Sequence, residues 1–378
     1  MTTEPAARGH IPATATETFA ALGSEHAPEV AGPVPAAGPD GSSSPDGPTA
    51  SAGRSVAGGS AAPRALRLGT RRSKLAMAQS GMVAEQVRQV TGRPVELVEI
   101  TTYGDVSRES LAQIGGTGVF VSALRDALLA GDIDFAVHSL KDLPTAAPED
   151  LVLAAVPVRE DPRDALVARD GLALAALPDG ARVGTGSPRR MAQLNAWARS
   201  HGLRIETVPI RGNVDTRIGY VTSGELDAVV LAAAGLNRIG RLAEASELIA
   251  ADVVLPAPGQ GALAVECAAS QPELAAQLAE LDDPFTRVAV TAERSLLAAL
   301  EAGCSAPVGA LADLVADGQT TELRLRGVVG TIDGTSLVQM SITGSVPASD
   351  DDARALGREL AVEMLAKGAA GLMGERTP

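Results

Sequence analysis

The chain has 378 residues, of which 45% are hydrophobic, and this length is sufficient for two or three domains. Only 2% of the residues are aromatic, so we expect cores built from alanine, valine, leucine and isoleucine. The formal net charge of −14 argues against a nucleic-acid-binding or membrane-binding protein, because both surfaces require a net basic face. Two cysteines and four histidines give neither a disulfide framework nor the spacing of a metal site.

The first 62 residues differ in composition from the rest of the chain. They contain eight prolines, a single aromatic residue, and six acidic residues against two arginines. Such a segment buries too little apolar surface to offset the entropy lost on ordering, so we predict a disordered tail over residues 1–62. A transit peptide would be richer in arginine and poorer in acids, and no apolar run approaches the ~18 residues that span a bilayer. These features favour a cytoplasmic protein.

The folded body opens with a predicted strand, Leu66–Thr70, that runs into two arginines and then an amphipathic helix. Ser73 is a suitable N-cap for this helix, and the free amide groups of the first turn lie beside Arg71 and Arg72, which favours an anion site. A second strand, a glycine-rich loop at residues 115–118, a helix and a third strand follow. This alternation is typical of a parallel α/β sheet.

The third strand ends abruptly in polar residues, and the chain is organised around this point. The apolar run stops at His138, and Lys141 and Asp142 follow before Pro144. Proline cannot donate to a sheet and restricts the residue before it, so the loop should be fixed. Strand ends of this kind are where α/β proteins place their chemistry. An isolated Lys-Asp pair could also be an ordinary surface turn.

The pattern restarts after residues 158–162, which we interpret as a crossing into a second lobe. The strand at 182–185 runs into Gly186-Ser187-Pro188 and a helix, again with arginines beside the helix start. Basic residues thus follow five successive strand ends: Arg71 and Arg72, Lys141, Arg189 and Arg190, Arg211, and Arg217. If they converge on one cleft, they would bind a ligand with several carboxylates or phosphates. Nucleotides are less favoured, because no Walker loop or dinucleotide fingerprint is present.

A second crossing at residues 255–261 should return the chain to the first lobe, and two crossings make a hinge of the kind found in clamshell ligand-binding proteins. Two helices, two strands and a final helix then indicate a small α+β domain. Cys304 is predicted to lie in a loop after a helix that Gly303 ends. A lone cysteine is usually a small buried hydrophobe, but this position should be more exposed than that of Cys267.

Seven motifs occur in order: Gly-Thr-Arg-Arg-Ser at 69–73, Ala-Val-His-Ser-Leu-Lys-Asp at 136–142, Arg-Glu-Asp-Pro-Arg-Asp at 159–164, Val-Gly-Thr-Gly-Ser-Pro-Arg-Arg at 183–190, Ile-Arg-Gly-Asn at 210–213, Pro-Gly-Gln-Gly at 258–261 and Glu-Ala-Gly-Cys at 301–304. In these motifs the chain from about Leu66 to its end resembles the porphobilinogen deaminase (hydroxymethylbilane synthase) family. The resemblance implies a transferase of porphyrin and haem biosynthesis. Such enzymes condense four porphobilinogen molecules into hydroxymethylbilane, releasing ammonia, on a dipyrromethane cofactor held through a cysteine thioether.

The resemblance assigns a role to individual residues. It implies that Cys304 carries the dipyrromethane and that Asp142 is the catalytic carboxylate. The residues implied to bind cofactor or substrate are Arg71, Ser73, Lys141, Thr185, Ser187, Arg189, Arg190, Arg211 and Arg217, with Gln79 as a further candidate. His138 is expected to be structural. Two departures stand out: Thr117 and Ser122 occupy positions where many members have lysines, and Gly186 stands where a hydroxyl residue is common.

The predicted architecture is α/β, with two periplasmic-binding-protein-like lobes joined by a double crossing and a small C-terminal α+β domain. The predicted domains are the tail at 1–62, a first lobe at 63–160 plus 257–282, a second lobe at 161–256, and a C-terminal domain at 283–378 that carries the cofactor cysteine. We expect a monomer with no metal. Two alternatives remain open at this point: a clamshell anion-binding protein without catalysis, and a Schiff-base enzyme that uses Lys141.

Overall fold

The structure, a computed structural model, describes residues 64–101, 119–146, 148–302, 306–317 and 320–373. The predicted tail, the glycine-rich loop with Thr117, and Cys304 lie outside these residues. In the described ranges no helix is both long enough and apolar enough to cross a membrane. The described part of the chain contains two five-stranded sheets and one three-stranded sheet.

The first sheet defines lobe 1 and has the strand order β2-β1-β3-β10-β4. Its elements are β1 (Leu66–Thr70), α1 (Lys74–Thr91), β2 (Val95–Glu99), α2 (Val119–Leu129), β3 (Phe135–Ser139), β4 (Leu151–Ala155), β10 (Leu263–Ala268) and α6 (Pro272–Leu278). Strands β1, β2 and β3 are parallel, whereas β10 returns antiparallel between β3 and β4. The hydroxyl of Ser73 accepts from the Ala76 amide at 3.3 Å, and Gly92 ends α1 with a φ of 64°, as a left-handed cap requires.

The second sheet defines lobe 2 and has the order β7-β6-β8-β5-β9. Its elements are β5 (Asp164–Ala168), β6 (Ala181–Gly184), α3 (Pro188–Ser200), β7 (Ile205–Val208), α4 (Val214–Thr222), β8 (Ala228–Ala232), α5 (Ala233–Arg238) and β9 (Glu247–Ile249). Helix α3 begins with Pro188 at its first position, where the missing N–H breaks no helical bond. Strands β7 and β8 pair in parallel with β6, so the carboxyl ends of all three strands lie at the same edge of this sheet.

The C-terminal module consists of β11 (Val308–Asp317), β12 (Thr320–Gly330), β13 (Leu337–Ser345), α7 (Pro284–Ala299) and α8 (Asp350–Ala366). Its antiparallel sheet packs against the two helices through a core of leucine, alanine and valine side chains. The helices approach closely at Gly357, where an added Cβ would lie 2.4 Å from the Ala292 carbonyl oxygen.

A buried carboxylate on α7 joins the module to the segments that connect the two lobes. Glu293 is fully buried and binds the guanidinium of Arg159, in the first crossing, at 2.6 and 2.9 Å. It also accepts from the amide of Gly259, in the second crossing, at 2.7 Å and from the amide of Ala312 on β11 at 2.9 Å. Because a buried carboxylate needs such partners, these four groups hold both crossings against the module.

Candidate active site

The Lys-Asp pair lies on a short 3₁₀ turn, Leu140–Asp142, that directly follows β3. The leucines at either end of the pair, Leu140 and Leu143, are buried in a cluster that includes Val290 of α7. Lys141 and Asp142 between them are only half-buried. The apolar residues therefore anchor the turn and leave the two charged side chains at the edge of the sheet, as the sequence predicts.

The main chain of this turn is held by Arg294, a residue that the sequence analysis did not single out. Its guanidinium donates from α7 to the carbonyl oxygens of Leu140 at 3.2 Å, Leu143 at 2.9 Å and Pro144 at 2.6 Å. Three such bonds to carbonyls on both sides of Asp142 fix the turn that carries this residue. No local pattern could have revealed this contact, because it joins residues about 150 positions apart.

The ammonium group of Lys141 lies in a strongly charged environment. It donates to the side-chain oxygen of Gln260 at 3.3 Å. Burial lowers the pKa of Lys141 to about 8, and the charges of Arg190 and Arg189 act in the same direction, while Asp142 and Asp164 oppose the shift. Lys141 on lobe 1 thus lies close enough to the arginines of lobe 2 for their charges to lower its pKa.

Those arginines are organised by Asp164, the first residue of β5, which the sequence analysis placed in a motif without a role. Asp164 is fully buried and accepts from Arg189 at 2.8 Å, from Arg190 at 2.7 Å and from the Gln260 amide at 2.7 Å. Burial alone would raise the pKa of Asp164, but the two guanidinium charges and the hydrogen bonds hold it well below its usual range. Asp164 is therefore an anion at every physiological pH.

The terminal guanidinium nitrogens of Arg189 and Arg190 are therefore bonded to protein groups, whereas the sequence indicated a ligand as their partner. Arg189 also donates to the Leu255 carbonyl, and Arg190 donates to the Val230 carbonyl at 2.9 Å. Both side chains are buried, yet the Nε–H of each lacks a hydrogen-bond partner among the described residues. A buried N–H group normally has an acceptor, so each arginine retains a donor for a ligand oxygen.

Arg217 on α4 extends the cationic cluster. It donates through Nε to the Gly212 carbonyl at 2.8 Å. The pKa of Arg217 is lowered to about 10, chiefly by burial and also by the charges of Arg190 and Arg211, while the charge of Asp142 opposes the shift. The structure therefore brings Asp142 of lobe 1 within electrostatic reach of the lobe 2 cations. Like charges in one place are stable only if an anion balances them.

The predicted hydroxyl residues lie at the starts of the two helices. Thr185 accepts from the Ser187 amide at 3.2 Å, and Ser187 accepts from the Arg190 amide at 3.5 Å. Ser73 is the N-cap of α1, as predicted. In each contact the hydroxyl oxygen accepts, so its hydrogen can still donate to a ligand. On lobe 1, the side-chain amide nitrogen of Gln79 donates to the hydroxyl of Ser139 at 3.1 Å. Arg71, which directly follows β1, is half-buried.

Two residues that depart from the family pattern have different surroundings. An added Cβ at Gly186 would lie 2.6 Å from the carbonyl oxygen of Ile210, so the neighbouring strand end leaves room only for glycine. Ser122 is exposed on α2. The close approach at Gly186 shows why this chain has no side chain at that turn.

His138 belongs to the core of lobe 1. It is buried, and its Nε2 lies 3.4 Å from Glu266 of β10, which also binds Arg125 of α2 at 2.8 and 3.0 Å. These contacts tie α2 to the sheet, which agrees with a structural histidine. Among the described residues, no group of three or more histidine, cysteine, aspartate or glutamate side chains is arranged to hold a metal ion.

Arg238, a second arginine missing from the sequence predictions, lies at the junction of lobe 2 and the second crossing. It donates to the Gly261 carbonyl at 2.6 Å, and its buried Nε has no partner among the described residues. Burial lowers its pKa. Arg238 is the last residue of α5, and none of the seven sequence motifs includes it.

The buried arrangement around Asp164 predicts that Arg189 contributes to stability. Arg189→Lys keeps the charge but cannot bind Asp164 and the Leu255 carbonyl together, so we expect the free energy of unfolding to fall by about 2 kcal/mol. Arg204→Lys is a matched control, because Arg204 pairs with Asp179 at the surface and its side chain is 82% exposed. Urea denaturation of both variants measures the difference. Equal losses would contradict the burial argument.

Comparison with known proteins identifies the family. Residues 66–276 match the family described as "Porphobilinogen deaminase, dipyromethane cofactor binding domain", and residues 287–366 match "Porphobilinogen deaminase, C-terminal domain". The chain is 80% identical over 319 residues to "Porphobilinogen deaminase 1" of Streptomyces avermitilis, covering 83% of this chain and 98% of that protein. It is 78% identical to the protein of the same description from Streptomyces coelicolor, with the same coverage, and 59% identical to "Porphobilinogen deaminase" of Thermobifida fusca, over 80% of this chain and 94% of that protein.

These matches span both lobes and the C-terminal module, and they agree with the motifs around the Lys-Asp turn and the buried arginines. The chain therefore belongs to the porphobilinogen deaminase family, whose members are transferases that join porphobilinogen units into hydroxymethylbilane on a dipyrromethane cofactor.

Proposed function

We propose that the Lys141–Asp142 turn of lobe 1 and the cations of lobe 2 form the site at which this chain makes hydroxymethylbilane. The reaction joins four porphobilinogen molecules head to tail and releases one ammonia at each step. The observation that carries the proposal is a carboxylate, Asp142, on a braced turn within electrostatic reach of Lys141 and Arg217. This combination suits a substrate that is anionic at its periphery and becomes cationic at its reacting carbon.

The chain's own residues fit the dipyrromethane that the family implies. When bound, the cofactor supplies the free pyrrole carbon to which the first substrate is joined. Its acetate and propionate groups would find donors in the hydroxyls of Ser73 and Ser187 and in the Nε–H groups of Arg189 and Arg190, which have no partner in the described part of the chain. We assign its thioether to Cys304. Cys267 is a poor candidate, because it is fully buried in β10 and burial raises its pKa to about 11.

The remaining predicted residues extend the same surface. Lys141, Arg211 and Arg217 add positive charge, and each added pyrrole brings two further carboxylates that this charge can bind. Arg71 and Thr185 precede the starts of α1 and α3, where the free helix amides also favour anions. Gln79 lies further along α1. The positive charge of the site would thus balance the negative charge of the growing product chain.

Asp142 would act on the reacting carbon of the substrate. Loss of ammonia leaves a positive charge that is delocalised toward the pyrrole nitrogen, and a carboxylate beside that nitrogen stabilises it. At ~4 Å and an effective dielectric constant of about 20 the attraction is of order 4 kcal/mol, or roughly a thousandfold in rate if it is realised only in the transition state. The same carboxylate can accept the proton that the attacked pyrrole carbon loses.

We propose the domain limits 63–160 plus 257–282, 161–256 and 283–378, with the segment 1–62 outside the catalytic body. We also propose that the protein is a cytoplasmic monomer. It should bind neither nucleic acid nor membranes, because the pI of about 4.8 leaves the cationic cluster as a local feature on an acidic protein.

The proposed role of Asp142 predicts the effect of removing its charge. Asp142→Asn keeps the shape of the side chain, so we expect kcat for porphobilinogen to fall by about a hundredfold or more while KM changes much less. Glu149→Gln is a suitable control, because it removes an exposed acid from the loop that follows the turn. Steady-state assays of product formation separate the two variants. A variant Asp142→Asn with most of its turnover would contradict the electrostatic role.

The attachment at Cys304 predicts a covalent change in mass. Cys304→Ser should lack the mass of two linked pyrroles, because a thiolate forms near neutral pH and an alkoxide does not. It should also unfold at a lower temperature, since a ligand bound only to the folded state no longer contributes and the lobe 2 cations lose their counter-ions. Denaturing mass spectrometry and an acidic aldehyde reagent for pyrroles measure the adduct. Cys267→Ser should retain it; an adduct that survives Cys304→Ser would refute the assignment.

A further inference from the structure

The side chain of Gln260 links the two lobes directly beneath the proposed site. Gln260 belongs to the Pro-Gly-Gln-Gly motif of the second crossing and is buried, with 1% of its surface exposed. Its amide nitrogen donates to the Pro162 carbonyl at 2.8 Å and to Asp164 at 2.7 Å, and its amide oxygen accepts from Lys141 at 3.3 Å. One side chain therefore contacts lobe 1, the first crossing and lobe 2.

The chemistry of these partners fixes the orientation of the amide. Pro162 and Asp164 offer only acceptors, so the NH₂ group must face them and the oxygen must face the Lys141 ammonium. The main chain is held as well, because the Gln260 carbonyl accepts from Arg159 at 2.8 Å. Both polar atoms of the side chain are used, in three hydrogen bonds, and rotation of the amide would leave buried groups without partners.

We propose that Gln260 is a positioning residue for the reaction: it keeps the Lys141 ammonium charged and directed beside Asp142, and it ties that ammonium to the Asp164 anion of lobe 2. This inference deepens the proposed function, because it rests on Lys141 serving as a cation for substrate or cofactor carboxylates. Gln260 acts through Lys141 and Asp164 and makes no contact with the reacting atoms.

Lys141 is the sensitive point of the cationic cluster. The arginines of the cluster stay charged in mildly alkaline solution, whereas a lysine with a pKa of about 8 loses its charge there. The charged groups that face it are Asp142 and Asp164, which favour its charge, and Arg189 and Arg190, which oppose it. The Gln260 oxygen stabilises the charged ammonium more strongly than the neutral amine, so its removal should lower the pKa of Lys141 further.

The sequence makes this shift directly measurable, because the chain contains just three lysines: Lys74, Lys141 and Lys367. We would label the full-length holoenzyme with ¹³C at lysine Cε and follow the three signals against pH, assigning them with Lys74→Arg and Lys367→Arg. In Gln260→Met the pKa of Lys141 should fall by about one unit relative to the native protein, as expected for a lost hydrogen bond to a charged group. The signals of the other two lysines should not move.

A matched variant separates positioning from stability. Gln193→Met removes another buried glutamine, which bonds to the Leu255 amide and carbonyl at 2.8 and 3.1 Å. Both variants should lower the unfolding temperature, but only Gln260→Met should shift Lys141. If Gln260→Met does not fold, Gln260→Asn withdraws the amide by one methylene and should give the same shift.

Kinetics provide a second test. The alkaline limb of kcat/KM for Gln260→Met should move to lower pH by the same amount, so that above both pKa values the variant is about tenfold slower than the native enzyme. In a Lys141→Met background, Gln260→Met should cost no more than about a further twofold, because the residue it acts through is absent.

Two results would overturn the proposal: an unchanged pKa of Lys141 in folded Gln260→Met, or a full additional loss of kcat/KM in the double variant. Failure of the proposed function would look different. In that case the native protein would not convert porphobilinogen, yet the lysine titration would still show whether Gln260 controls the charge of Lys141.

Discussion

The site depends on one buried anion, Asp164, which holds two arginines and a glutamine at the base of the proposed cleft. Without this carboxylate, Arg189 and Arg190 would repel each other in a region of low dielectric constant, and burying both would be unfavourable. The single negative charge of Asp164 neutralises only part of the positive charge that Arg189, Arg190, Arg217 and Lys141 carry. The excess positive charge is what a polycarboxylate chain would balance.

The C-terminal module has a role in this arrangement that its small size does not suggest. Glu293 of α7 joins both crossings between the lobes, and its neighbour Arg294 holds the turn of Asp142 through three carbonyls. Successive residues of one helix therefore hold the two crossings and the turn that carries Asp142. We infer that the module positions the active site, in addition to carrying the segment with Cys304.

The sequence correctly predicted those helix and strand ends that are determined by a few neighbouring residues. The Ser73 cap, the Pro188 helix start and the polar end of β3 each follow from a few adjacent residues, and all three are present in the structure. The partners of the arginines could not be predicted in this way. Asp164 lies 25 residues before Arg189, and Arg294 lies about 150 residues after the turn it holds. Such contacts depend on the tertiary fold. The sequence indicated a ligand as the partner of Arg189 and Arg190 and gave no sign of their hydrogen bonds to Asp164.

We propose that a polycarboxylate chain grows covalently on this protein within the cationic cleft. Intact mass under denaturing conditions, recorded before and after limiting additions of porphobilinogen, would detect such a chain. We predict a native mass that exceeds the polypeptide by two linked pyrroles, and a ladder of heavier species that rise by one pyrrole unit at a time. A mass equal to the bare polypeptide, unchanged by porphobilinogen, would contradict the account.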